Sequence, residues 1–263
     1  MFICERTAKM KVLIIIGFMF VCVIAQDPEK NENVPGMVKP LEDVKDKINE
    51  IKDDIQDKSI ERPCETLDMN CIRRYLADHS YCKMTYGRVP DPIYRVQATQ
   101  HLTRVNLTIT STNLTYKGLN GRIEEFYINR VTDQVVLAVE FRNVEFFTKN
   151  AFFFFYRRAK EPVITKDFLK IMFNSVVVTS TIPGVHHLRF DRSENFGFSN
   201  DITYKFVVGP NAFKHRDPVV LNTFLQIAAN LPVNARELLH TEAQYYLTNF
   251  VQYSLCDFGL NVI

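Results

Sequence analysis

The chain has 263 residues and a formal net charge of +2, with 46% hydrophobic and 24% charged residues. A charge this close to zero argues against binding to nucleic acid, and no long cluster of Lys and Arg occurs. The length suffices for one sizeable hydrophobic core, to which 21 Phe and 11 Tyr contribute in the absence of Trp.

The N-terminus has the pattern of a secretory signal peptide. A nearly unbroken apolar run over residues 12–25 follows two lysines and ends in a small residue before a polar stretch. A membrane anchor is the alternative, but a bilayer span needs about 20 apolar residues and no second run approaches one. We predict a signal peptide over residues 1–25 and a secreted, extracellular protein that begins near Gln26, whether translation starts at Met1 or Met10.

The segment 26–62 is highly charged and opens with three prolines. Over residues 41–55, apolar side chains follow the alternating spacing of three and four residues of a heptad, at Leu41, Val44, Ile48, Ile51 and Ile55. Two heptads predict a short amphipathic helix. This helix either lies on the body of the protein or binds a partner, in which case it is an element of self-association.

Six cysteines are present, and we expect two of them, Cys4 and Cys22, to be removed with the predicted signal peptide. The other four lie at the two ends of the remaining chain, at Cys64, Cys71, Cys82 and Cys256. An even number of cysteines in an oxidising compartment predicts two disulfides, with three possible connectivities. The spacing fits no zinc finger, so we expect no metal site.

A folded domain begins at Pro63 with a short helix whose N-cap is Thr66 or Asp68. Alternating apolar residues then predict a strand over 105–110, and a change of parity near Ser111 and Thr112 indicates a bulge or bend. Further strands follow, separated by turns, at 126–128, 135–141, 152–156, 168–182, 188–190 and 202–208. Consecutive strands with short connections predict an antiparallel meander that curls on itself.

The C-terminal quarter has helical periodicity. Asp217 and Pro218 provide an N-cap and a first-turn proline, and Pro232 separates this helix from a second, mostly buried one. We therefore predict one α+β domain over residues 63–263, in which a curved antiparallel sheet is rolled around a long C-terminal helix.

Several motifs resemble those of a known family. The cysteine-bearing segment from Pro63 to Leu76 is similar to the N-terminal signature of the insect takeout and juvenile-hormone-binding-protein group. A closer resemblance is to fibrohexamerin, the small glycoprotein of lepidopteran silk, and it covers residues 63–263. It is carried by residues 79–82, 89–95, 118–129, 156–162 and the closing Cys256-Asp257-Phe258-Gly259-Leu260. The charged segment before the domain is longer, and the cysteines are fewer, than the resemblance leads us to expect.

This resemblance implies both fold and function. The takeout group implies a hydrophobic tunnel inside a rolled sheet, and fibrohexamerin implies non-covalent association with disulfide-linked fibroin heavy and light chains in the lumen of the silk gland. Among the connectivities we favour Cys64 with Cys71 and Cys82 with Cys256, and the alternative pairs Cys71 with Cys82.

Two N-glycosylation sequons occur, Asn106-Leu-Thr108 and Asn113-Leu-Thr115. Each asparagine lies on the polar side of a predicted strand, so we expect both to carry glycans that project into solvent. The alternative is that they are ordinary polar strand residues.

Catalysis finds little support in the sequence. The six histidines are scattered, no motif centres on a nucleophilic Ser or Cys, and no carboxylate pair stands out as acid and base. We expect no catalytic residue and no cofactor. The aromatic run 152–156 predicts either a central strand or a wall of a lipid tunnel or interface.

Two functions follow from these observations. In the first, the protein is a silk component that binds the fibroin complex non-covalently, keeps it soluble and assists its assembly and secretion. In the second, it carries a small hydrophobic ligand, such as a terpenoid or fatty acid, in an internal tunnel. The closer resemblance favours the first.

Overall fold

The computed structural model describes residues 59–65, 67–199 and 205–260, and its elements include three helices and ten strands. In chain order these are β1 (Ile60–Glu61), α1 (Met69–Asp78), β2 (Lys83–Met84), β3 (Ile93–Leu102), β4 (Leu107–Lys117), β5 (Arg122–Asn129), β6 (Gln134–Arg157), β7 (Lys160–Pro183), β8 (Glu194–Phe198), β9 (Lys205–Val208), α2 (Pro218–Ala229), α3 (Leu231–Ser254) and β10 (Cys256–Asp257). The predicted signal peptide and the predicted helix over 41–55 lie outside the described residues.

Eight of the described strands form one antiparallel sheet around the two longest strands. β6 and β7 form a hairpin of 24 residues on each side, closed where Arg157 pairs with Lys160. The other edge of β6 is shared by β5 and β4, and β3 adds outside β4. β8 and β9 pair with successive parts of β7, and β1 pairs with β5. β2 and β10 form a separate two-stranded ladder.

The long strands bend at residues that adopt a left-handed backbone. The bend predicted near Ser111 and Thr112 lies at Asn113, whose φ is 52°, and Asn143 of β6 also has a φ of 52°. Asparagine enters this region at lower cost than most residues. At both positions the side chains that face the core change from odd to even numbers or the reverse, so an apolar face is kept along a strand that changes direction.

The helices begin where the sequence predicts. Asp68 caps α1 by accepting hydrogen bonds from the backbone N–H groups of Asn70 and Cys71, each at 3.0 Å. Asp217 caps α2 through the N–H of Val219 at 3.0 Å, with Pro218 in the first turn. Satisfying these free N–H groups stabilises a helix start.

The core lies between the sheet and α3, which is buried along most of its length. Tyr246 of α3 is fully buried, with its ring 6.0 Å from that of Tyr116 and 6.1 Å from that of Phe141. Burying an aromatic side chain of this size stabilises the fold by about 1.5–3 kcal/mol. The predicted α+β fold, a large antiparallel sheet with a long C-terminal helix, is confirmed. Within the described residues, no helix is long and apolar enough to cross a membrane.

The two disulfides join the pairs that the sequence analysis favours. Cys64 is bonded to Cys71 at the start of α1, and Cys82 is bonded to Cys256. The second bond lies beside the β2–β10 ladder, in which Cys256 is opposite Met84. It therefore connects the first and last parts of the domain, between two cysteines that are separated by 174 positions in sequence.

Candidate functional site

Among the described residues, small cavities lie between α3 and the sheet. Two cavities there, lined by described residues, have volumes of about 10 Å³ each. A volume of this size holds about one water molecule, whereas pockets for small ligands enclose about 300–1,000 Å³. These cavities are therefore too small for the terpenoid or fatty acid that a carrier would hold.

A buried carboxylate on α3 connects this helix to strands β3 and β4. Glu242 accepts hydrogen bonds from Gln100 Nε2 at 2.7 Å, from Tyr116 OH at 2.9 Å and from Arg95 Nη1 at 3.2 Å. The guanidinium of Arg95 also lies over the ring of Tyr245, 4.4 Å from its centroid. The negative charge of Glu242 is thus paired and hydrogen-bonded, as a buried charge must be.

The tyrosines around Glu242 stay protonated over a wide pH range. Burial, and next the negative charge of Glu242, raise the pKa of Tyr116 well above its usual value of 10.0. Burial also raises the pKa of Tyr245 to about 12. Since the phenol of Tyr116 remains a hydrogen-bond donor to Glu242, this group cross-links the core and has no proton poised for transfer near neutral pH.

The outward side of α2 carries large apolar side chains. Leu221, Phe224 and Leu225 are 59%, 43% and 54% exposed, while Val220 and Ile227 on the inward side are buried. The sequence from 218 to 235 contains no charged residue. We call the surface formed by Leu221, Phe224 and Leu225 the α2 face. Contiguous exposed apolar side chains of this kind mark interaction sites in soluble proteins.

Aromatic contacts and an ion pair fasten α2 to the end of β6. The ring of Phe213, just before the helix, lies 5.1 Å from that of Phe224 and 5.8 Å from that of Phe155 in β6. Asp217 accepts a hydrogen bond from Arg157 Nη1 at 2.8 Å. The N–H of Val219 and the guanidinium of Arg157 lower the pKa of Asp217. The turn between β6 and β7 therefore lies beside the N-terminus of α2.

Basic side chains surround this N-terminus. Arg158 and Lys160 of the β6–β7 turn are exposed, and so are Lys214 and Arg216 in the segment that leads into α2. We call these four residues the basic rim. The carboxylate of Asp217 is already paired with Arg157, so it does not cancel the charge of the rim.

The aromatic run 152–156 lies in β6 between β4 and β7, which confirms the central-strand interpretation. Phe153 and Phe155 are fully buried on the core side. Phe152 and Phe154 are half-buried on the outer side, where the ammonium of Lys166 lies 5.1 Å from the ring centroid of Phe152. This outer side is a second apolar region, and its neighbours partly cover it.

Both predicted glycosylation residues are exposed. Asn106 follows a short 3-10 turn before β4, beside a surface groove of about 310 Å³ that Tyr156 helps to line. Asn113 lies within β4 at its bend, with its side chain also exposed. The backbone of both adopts the left-handed region, with φ of 50° and 52°. Their exposure leaves room for a glycan at either position.

Neither the hydrogen-bonded group around Glu242 nor the α2 face was predicted from the sequence. The available signals were a single acidic residue inside the apolar stripe of α3 and an 18-residue stretch without charge around α2. The structure brings none of the histidines into a metal site, since no group of three or more potential ligands occurs among the residues that it describes. The strongest candidate for function is therefore the α2 face with its basic rim.

Comparisons with known proteins place these observations in a family context. A family model described as Fibroin P25 matches residues 60–260, which include every element from β1 to β10. No curated protein matches the chain. Among solved structures, the chain is similar to Takeout 1 of Epiphyas postvittana, with 14% sequence identity, a TM-score of 0.44, and coverage of 74% of this chain and 95% of that chain.

Proposed function

The chain belongs to the Fibroin P25 family, and from this premise we propose that it is a secreted, non-enzymatic component of silk. In this role it binds the fibroin heavy and light chains non-covalently, keeps their complex soluble and assists its assembly and secretion. The family match over residues 60–260 is the observation that carries the proposal.

The disulfides support a non-covalent mode of binding. All four cysteines of the described residues are used in bonds within the chain, so this part has no free thiol for a partner. A complex with fibroin must then depend on surface contacts. The exposed apolar side chains of the α2 face offer such contacts, and the half-buried Phe152 and Phe154 on the outer side of β6 can add to them.

The interior supports binding at the surface over a carrier role. A carrier needs an enclosed pocket, and the two cavities between α3 and the sheet hold about 10 Å³ each. Glu242, a polar residue in this region, already accepts hydrogen bonds from Arg95, Gln100 and Tyr116, so it is engaged within the protein and not with a ligand.

Native mass spectrometry of the protein purified gently from its own secretion tests the proposal. We expect an assembly that contains fibroin chains and that denaturant dissociates without reductant. A control with reductant alone, under native conditions, should leave this protein bound. A monomer that carries one small apolar molecule would contradict the proposal and favour a carrier.

A further inference from the structure

We propose that the α2 face and the basic rim together bind an amphipathic helix of the fibroin complex whose acidic residues lie towards one end. This inference rests on the proposed function and adds to it the contact surface and the chemistry of the partner. Three observations carry it: the spacing of the exposed apolar residues, the one-sided position of the basic residues, and the way in which α2 is fixed to the sheet.

The first observation is the pattern of the α2 face. Leu221, Phe224 and Leu225 occupy positions i, i+3 and i+4, which lie side by side on a helix surface. The next position of the same stripe is Ala228, which is exposed and small. Anchors at this spacing are typical of surfaces that bind a second helix, and a small residue at the end of the stripe lets the partner approach closely.

The second observation is the distribution of charge. Lys214 and Arg216 precede α2, and Arg158 and Lys160 lie in the adjoining turn, so the basic rim is at the N-terminal end of the helix. No charged residue follows until Arg236, beyond α2. Near the rim, Asp217 is paired with Arg157, and Glu161 is the acidic residue of the neighbouring strand end. A complementary partner therefore needs acidic residues near the rim and an apolar stripe along the rest of α2.

The third observation distinguishes a protein partner from a membrane surface. Helices that lie on membranes carry Lys and Arg on their own polar face. The opposite face of α2 is instead packed on the protein through Val220, Thr223 and Ile227, and its own sequence is uncharged. Contacts of Phe213 and Asp217 with β6 hold the helix in place. A helix that is held in place, with the basic rim beside one end and apolar side chains along its exposed side, is suited to binding one folded protein partner.

The experiment compares variants of the mature full-length chain for binding to purified fibroin heavy–light complex. The test variants are Leu221→Ser with Leu225→Ser, which removes exposed side chains without ring contacts, and Lys214→Glu with Arg216→Glu. The matched controls are Val131→Ser, an apolar residue exposed in the turn before β6, and Arg74→Glu with Arg88→Glu, which makes the same change in charge elsewhere. Circular dichroism melts establish that each variant is folded.

We expect each test pair to raise the Kd about tenfold or more, because apolar anchors dominate interface energies and because the reversed charges would face the acidic residues of the partner. The charge pair should also weaken the salt dependence of the Kd. The controls should change the Kd by less than about twofold. If the unaltered protein binds fibroin and both test pairs bind equally well, the inference is wrong and the proposed function stands. If the unaltered protein does not bind fibroin, both fail.

Vesicles that contain phosphatidylserine serve as the second probe. We expect no difference in vesicle cosedimentation between the unaltered chain and the test variants. Vesicle binding that the test variants lose, with fibroin binding retained, would overturn the inference in favour of a membrane surface.

Discussion

Replacing Glu242 by Gln removes the negative charge from the hydrogen-bonded group that joins α3 to β3 and β4. This change would remove the ion pair between Arg95 and Glu242 and keep the contact of Arg95 with the ring of Tyr245 at 4.4 Å. The amide oxygen of Gln at position 242 can still accept a hydrogen bond from Gln100 or Tyr116. Its NH₂ group, however, is a hydrogen-bond donor and would face other donors. We expect a less stable protein with an unchanged fold.

The size of the expected loss in stability follows from the burial of the ion pair between Arg95 and Glu242. The side chains of Arg95 and Glu242 are 20% and 8% exposed, so the pair is largely removed from water. Removing one partner of a buried pair costs about 3–5 kcal/mol, and the partial exposure of Arg95 places this case near the lower end, at about 3 kcal/mol. A second change, Arg95→Met, should then cost less in the variant than in the unaltered protein, with a coupling of about 1–3 kcal/mol.

Urea unfolding at neutral pH without reductant measures this loss. Circular dichroism is the suitable signal, since the chain has no Trp. Glu237→Gln on the same helix is the control. One carboxylate oxygen of Glu237 accepts hydrogen bonds from the N–H and the hydroxyl of Thr103, at 2.8 and 2.7 Å. An amide oxygen can accept the same two bonds, so we expect the free energy of unfolding to fall by less than about 1 kcal/mol. A loss below about 1 kcal/mol for Glu242→Gln would refute the reasoning.

Three further predictions concern the disulfides, the tyrosines and the sequons. Replacing Cys82 and Cys256 by Ala should lower the free energy of unfolding by about 5 kcal/mol, and removing the shorter disulfide by about half as much, because the longer loop restricts the unfolded chain more; equal losses in urea unfolding would contradict this. Because burial raises the pKa of Tyr245 to about 12, the unfolded chain releases this proton first, so the contribution of Tyr245 to stability should be constant below its ordinary pKa of 10.0 and fall as the pH rises towards 12. Urea unfolding at pH 9 and 11 checks the slope, and Tyr245→Phe should reduce it. Enzymatic removal of N-glycans should lower the mass of the secreted protein by two glycans, and the variants Asn106→Gln and Asn113→Gln should each lack one; a mass that the enzyme leaves unchanged would argue against both sites.

Several local elements could be predicted from the sequence because each depends on neighbouring residues, but the strand predicted over 188–190 was wrong, since Phe190 begins a short 3-10 helix there. The caps at Asp68 and Asp217 and the change of parity near Asn113 are visible within a few positions. The continuity of β6 was harder to predict. The alternation of buried and exposed side chains along β6 changes at Asn143 and again after Thr148. The sequence therefore predicts two shorter apolar strands, whereas the structure has one strand with bends. A bend that keeps the hydrogen-bond ladder has the same sequence pattern as the end of a strand.

The hydrogen-bonded group around Glu242 was not predicted because it depends on contacts between distant parts of the chain. Glu242 is 147 residues from Arg95 and 142 from Gln100 in sequence, and no local pattern pairs them. The α2 face is missed for a different reason. The sequence of a helix that is apolar on nearly every side predicts a buried helix. Only the packing of Val220 and Ile227 in the structure shows which side faces the core.

The hydrogen-bonded group around Glu242 and the exposed α2 face have related consequences for the proposed function. The Glu242 group ties α3 to β3 and β4, and the Cys82–Cys256 bond ties the end of the chain to its beginning. A movement of α3 away from β3 and β4 would break the ion pair between Glu242 and Arg95, and breaking a largely buried ion pair is costly. Binding at the α2 face requires no such movement, because Leu221 and Leu225 already point outward. Both features support the proposal that this domain binds a partner at its surface.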